Sequence, residues 1–149
     1  MSIRKTIWSL KPEFTIYGTY CVKCKICYEN KTFYGYSYLH EEDIEFQSET
    51  IGKTLAHHRA VINCLKYQKE RAHQDYDAIF RIYNEVRRMY PNKDISFLED
   101  RLGAAAARCK RYDNYVKDET AKLNRYVTAT NKTFETLTKI RIKNRGKTE

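Results

Sequence analysis

The chain has 149 residues and a mass of 17.8 kDa, 42% hydrophobic and 32% charged, enough apolar material for one domain core and too little for two. Lys and Arg outnumber Asp and Glu by 28 to 19, a net charge of +9 that favours anionic partners such as nucleic acid, a nucleotide or an acidic protein face. Five Gly and two Pro exclude collagenous and loop-rich scaffolds, and the lack of an apolar run long enough for a signal peptide or membrane span predicts a soluble, cytoplasmic protein. Free thiols are then expected at Cys21, Cys24, Cys27, Cys64 and Cys109.

A β-like run from Phe14 to Tyr17 ends at Gly18. From Tyr20 to Tyr28 the side chains alternate, with Tyr20, Val22, Cys24, Ile26 and Tyr28 on one face and Cys21, Lys23, Lys25 and Cys27 on the other. Glu29, Asn30 and Lys31 read as a turn, and Thr32 to His40 as a second strand rich in β-favouring residues. So small a sheet needs one face covered, by the rest of the chain or by a second copy.

After His40 the period lengthens. Ile51, Leu55, His58, Ile62, Leu65, Lys69, Ala72, Tyr76, Ile79, Tyr83, Val86 and Tyr90 keep a three-four spacing that predicts one helix over 48–90, stopped by Pro91. A second helix is predicted over 96–143, with Ser96 and Glu99 as a capping box. Its stripe is Leu98, Leu102, Ala105, Cys109, Tyr112, Val116, Glu119, Leu123, Tyr126, Thr130, Thr133 and Leu137. At about 40 residues each, the helices would reach roughly 60 Å. The Pro-Asn-Lys-Asp connection makes them antiparallel. Zipping them flush from the loop sets Val86 against Leu102, Lys69 against Glu119 as an ion pair, and His58 against Thr130, with the small run Gly103 to Ala107 accommodating Phe80 and Tyr83.

The expected architecture is α+β: a single domain over 1–149, with a small antiparallel sheet in 1–42, a long antiparallel two-helix coiled coil over 48–90 and 96–143, and a basic tail over 144–149. A homodimer is expected, because the sheet and the long arm need cover.

Cys21, Cys24 and Cys27 have the spacing of thiolate ligands, but on a strand Cys24 points away from the other two, so ordinary thiols are the favoured reading. His57 and His58 lack the carboxylate spacing of a metalloprotease helix, and the five glycines form no phosphate loop, so neither a cofactor nor catalysis is expected. Tyr34, Tyr36, Tyr38 and His40 share one strand face, with Lys23, Lys25, Lys31 and Arg59 near them. Rings that stack on bases and cations that neutralise phosphate would suit a nucleotide or a single strand. Packing against the helices or a dimer mate explains the tyrosines equally well. Lys139, Arg141, Lys143, Arg145 and Lys147 form a basic run that either complements the helix dipole or touches nucleic acid.

The segment from Phe33 to Ala60, FYGYSYLHEEDIEFQSETIGKTLAHHRA, resembles a pattern of small phage and prophage proteins of Gram-positive bacteria. Its residues here are Phe33, Tyr34, Gly35, His40, Asp43, Phe46, Ser48, Glu49, Gly52, Ala56, Arg59 and Ala60. The resemblance implies a mobile-element accessory protein, similar in plan to anti-CRISPR proteins, which occupy an effector, or to anti-Thoeris sponges, which sequester a nucleotide signal. The expected function is therefore a counter-defence protein that inhibits a nucleic-acid-guided host effector by stoichiometric binding. A nucleotide sponge, with Tyr34, Tyr36 and His40 on a base and Arg59 on a phosphate, and a small DNA- or RNA-binding phage protein are the alternatives.

Overall fold

A computed structural model describes residues 2–18, 21–38 and 49–147. The elements are α1 (Ile3–Ser9), β1 (Glu13–Tyr17), β2 (Cys21–Tyr28), β3 (Lys31–Tyr38), α2 (Glu49–Met89) and α3 (Ser96–Lys147). The α+β plan holds, with a three-stranded antiparallel sheet in the order β1-β2-β3 followed by two long helices that pack against each other. His40, Tyr20 and the stretch from Glu41 to Ser48 lie outside the described residues.

Helix α1 has no periodic signal in the sequence, because seven residues are too few to show a helical period. Its signals are local: Ser2 caps the first turn by accepting a hydrogen bond from the Lys5 amide, and Pro12 follows its end. The β2–β3 hairpin turns through Glu29 and Asn30, both left-handed at φ 49° and 63°, the turn geometry that matches the twist of paired strands.

The chain forms two compact units, Met1–Asn63 with Glu119–Glu149, and Cys64–Asp118. In the first, the inner sheet face carries Cys24, Ile26, Phe33 and Ser37, all buried, together with Gly35, which pairs with Cys24. The start of α2 lies directly on it. Gly35 meets the backbone at Ala56, Arg59 and Ala60, and Ser37 Oγ donates to the Gly52 carbonyl at 2.8 Å. Arg59 Nη1 and Asn63 Nδ2 donate to the carbonyls of Tyr36 and Tyr34, each at 2.7 Å. Residues four apart on a helix and two apart on a strand both advance about 6–7 Å, so the two side chains seal successive carbonyls of β3.

In the second unit Leu65, Ala72, Leu98, Ala105, Cys109 and Tyr112 are buried along the α2–α3 seam at the expected spacing, while Gln68, and not Lys69, is the buried residue between Leu65 and Ala72. The flush register does not hold. Lys69 reaches Asp113 at 3.7 Å, joined there by His73 at 2.8 Å, while Arg108 pairs with Asp75 and the Tyr83 hydroxyl donates to Glu99. Glu119 has other partners: Arg4 and His58 claim it in the first unit, so His58 meets Glu119 and not Thr130. The counter-charge comes from α1, an element absent from the sequence reading. Only Ala105 of the small run is buried. Gly103 faces open space, and Phe80, 42% exposed, stacks on Tyr76.

At its start α3 is capped by Asp94, whose carboxylate accepts from the Ser96 amide at 3.0 Å, in place of the Ser96–Glu99 box. That hydrogen bond holds the Asp94 carboxyl below the usual range. Beyond Tyr126 the half-buried positions become Thr130, Phe134, Thr138 and Arg141, and Thr133 and Leu137 are exposed. A straight helix at 3.6 residues per turn drifts away from a 3.5 repeat, which moves the stripe by one residue over this length. The helix also continues to Lys147, through most of the expected tail. Its last turns carry Lys and Arg, good helix formers that complement the C-terminal dipole.

Candidate nucleic-acid interface

Residues directly opposite in an antiparallel sheet share a face. With Thr15 against Lys23 against Tyr36, Glu13 against Lys25 against Tyr34, and Tyr17 against Cys21 against Tyr38, the outer face of the sheet is fixed by register. Four tyrosines, 17, 34, 36 and 38, thus surround the two lysines of the central strand. Tyr38 is 74% exposed, and the other three are also open to solvent.

The tyrosines therefore do not pack on the helices, which cover the opposite face. The Tyr36 and Tyr38 rings stand nearly parallel, 14° apart in plane, with centroids 6.4 Å apart. They are next neighbours on one face of β3, and each exposed ring offers a face on which a base could stack. Lys23 Nζ lies 4.4 Å from the Tyr34 ring centroid, and Lys25 Nζ is 3.9 Å from Glu13. Both ammonium groups are exposed enough to exchange these weak partners for phosphate.

Tyr34, Tyr36, Tyr38, Lys23 and Lys25 are thus brought together. Arg59 sits at the β3 edge with one guanidinium N–H committed to the Tyr36 carbonyl, a strut for the strand that carries the tyrosines as well as a cation beside them. Lys139, Arg141 and Lys143 lie on α3, Lys139 and Lys143 exposed and Arg141 half-buried, and no described contact joins the two lysines to the sheet. Tyr17 and Thr15 are the residues that sequence reading missed. Their signal was the odd-numbered alternation of β1, which becomes informative only once its pairing with β2 is known.

Cys21 and Cys27 lie on the outer face with the lysines, and Cys24 on the inner one, where burial pushes its thiol up to about 11. A thiol so hard to ionise is packing material.

Beneath the sheet the first unit holds a buried polar cluster. Glu119, 1% exposed, accepts from Arg4 and from His58 Nε2 at 2.9 Å, with Trp8 also bonded to it and Lys122 at 3.7 Å. Burial raises its carboxyl, but the bonds from Arg4 and Trp8 outweigh burial and hold it below the usual carboxylate range. The neighbouring His57 is lowered by burial and by His58, and its ring packs edge-on against Trp8 and Phe14. This cluster joins α1, α2 and α3 under the sheet.

Among the described residues no helix is long and apolar enough to cross a membrane. Compared with known proteins, the chain matches no family model, no curated protein and no solved structure.

Proposed function

We propose that this chain is a stoichiometric binding protein that holds the bases and phosphates of a single-stranded nucleic acid on the outer face of its sheet. In the phage setting implied by the resemblance of Phe33 to Ala60, it acts as a counter-defence protein, engaging the guide or target strand of a host nucleic-acid-guided effector such as a CRISPR-associated nuclease. The observation that carries this reading is the exposed tyrosine face around Lys23 and Lys25, with the Tyr36 and Tyr38 rings nearly parallel. Stacking contributes about 1–3 kcal/mol per base and tolerates any base, and a +9 chain supplies the long-range attraction. A cytoplasmic site of action and the absence of turnover belong to the same proposal.

A nucleotide sponge is the second reading, favoured by the small extent of the parallel Tyr36–Tyr38 pair, which suits one nucleotide as well as a strand. Fluorescence anisotropy separates the two. A labelled oligothymidine or oligouridine should bind at low salt and weaken as salt rises, whereas a sponge takes up a cyclic dinucleotide and ignores both oligomers. Tyr36→Ala should weaken binding at least tenfold while the thermal midpoint stays within about 2 °C, since an exposed ring contributes little to folding. Failure of the wild-type chain to bind any of these probes at low salt overturns both readings.

A further inference from the structure

The two edges of the sheet are unlike. At β3 the outward carbonyls of Tyr34 and Tyr36 are taken by Asn63 and Arg59 of α2. At the other edge, among the described residues, β1 pairs on one side only, with β2. Its residues Glu13, Thr15, Ile16 and Tyr17 are exposed, Ile16 to 47% although it lies on the inner, apolar face opposite Val22. Natural edge strands are blunted by proline, bulges, inward charges or a covering element. The sequence of β1, Glu-Phe-Thr-Ile-Tyr, has no proline and places no charge on the inner face. Among the described residues, two carbonyls of the β3 edge are capped by α2, whereas the β1 edge is a five-residue strand with no neighbour beyond it.

We infer that β1 is a dimerisation edge whose occupant is a second copy of this chain, paired antiparallel about a two-fold axis at Thr15. The strand is self-complementary in this register. Inner residues meet inner residues only when odd positions pair with odd and even with even, and of those registers the one centred on Thr15 pairs all five residues. Phe14 then faces Ile16 of the mate, an aromatic–β-branched pair that removes Ile16 from water, and Thr15 faces Thr15. Phe14 is already anchored beneath, its ring edge-on to His57 and under Lys53 Nζ at 5.5 Å, so the mate's Ile16 extends an existing core.

The product is a six-stranded sheet, about 24 Å across at the usual strand spacing, with both outer faces on the same side. Lys23 and Thr15 of each copy form one row through the axis, and the Tyr36–Tyr38 ring pairs lie toward its two ends. The dimer needs nothing from the nucleic-acid reading, but it would double the basic aromatic surface. Five residues a side is a small contact, so association depends on concentration.

The test uses the full chain with Cys21→Ser and Cys27→Ser, which removes the outward-facing thiols. Across the axis the Thr15 Cα atoms would be about 4.5–5.5 Å apart, within disulfide reach. Under mild oxidation Thr15→Cys should give a covalent dimer in high yield, while Glu13→Cys, whose equivalents lie four residues out of register, should not. Light scattering should show twice 17.8 kDa at a few hundred micromolar and the monomer mass for Ile16→Lys, with an unchanged circular dichroism spectrum. A monomer at every concentration overturns the inference, as does a dimer that survives Ile16→Lys or cross-links equally through Glu13→Cys. Anisotropy with the oligonucleotide probe, run on monomeric Ile16→Lys, reads the nucleic-acid proposal separately from the dimer.

Discussion

Gly35→Ala should lower the thermal midpoint by roughly 10 °C or more, the loss expected for about 3 kcal/mol in a chain of this size. A Cβ at Gly35 would fall well inside contact distance of the Ala56 carbonyl oxygen and the Ala60 amide nitrogen, and 2.9 Å from the Arg59 carbonyl carbon. All three are backbone atoms of one helix, so no side chain can swing aside. α2 must lift off the strand, and the hydrogen bonds from Ser37 to Gly52, Arg59 to Tyr36 and Asn63 to Tyr34 go with it. Gly103→Ala supplies the opposite control. That glycine is mid-helix with nothing within 4 Å of the added carbon, so alanine should stabilise by about 0.5–1 kcal/mol. Differential scanning calorimetry of both variants reads the pair. A neutral Gly35→Ala would mean that α2 does not lie on β3.

Glu119→Gln should be nearly as damaging, at about 3 kcal/mol, because it removes the buried negative charge that Arg4 and His58 face while keeping the side-chain volume. It also carries a pH signature. The folded-state pKa of Glu119 is lowered, so the group's stabilisation is present above the ordinary glutamate value near 4.3 and is lost as pH falls through the folded value. The groups facing it are Arg4, Trp8, His58 and Lys122. Asp94 and Asp113 are also lowered and add to the acid slope, but they are common to both proteins. The wild-type midpoint should therefore fall more steeply below about pH 4 than that of Glu119→Gln. Parallel curves from pH 6 to pH 3 would show that Glu119 does not ionise differently on folding.

Much of the architecture was legible because it is written in short-range periods. Alternation at Cys24 and Ile26 put them on one face of β2, Gly18 and the Glu29-Asn30 pair gave the turns, and the three-four spacing gave both helices to within a few residues at most ends. The candidate site was half legible for the same reason: Tyr34, Tyr36 and Tyr38 fall on one face of any strand, and Lys23 and Lys25 on one face of another. What period could not say was which face is which. Glycine at 35 and serine at 37 put α2 on the even side of the β2 numbering and left the tyrosines outside.

The two pairings that failed around the buried Glu119 depend on a third element. Lys69 with Glu119, His58 with Thr130 and Phe80 against the small run all came from zipping two helices in isolation. The buried carboxylate was claimed instead by Arg4 of α1, a helix too short to announce itself. The sequence by itself determined the elements and the side-chain row that each presents, since both follow from the local geometry of helix and strand. Only the tertiary structure decided how helices and strands are matched, because a buried charge goes to whichever partner can be desolvated with it, and that partner lies 115 residues away.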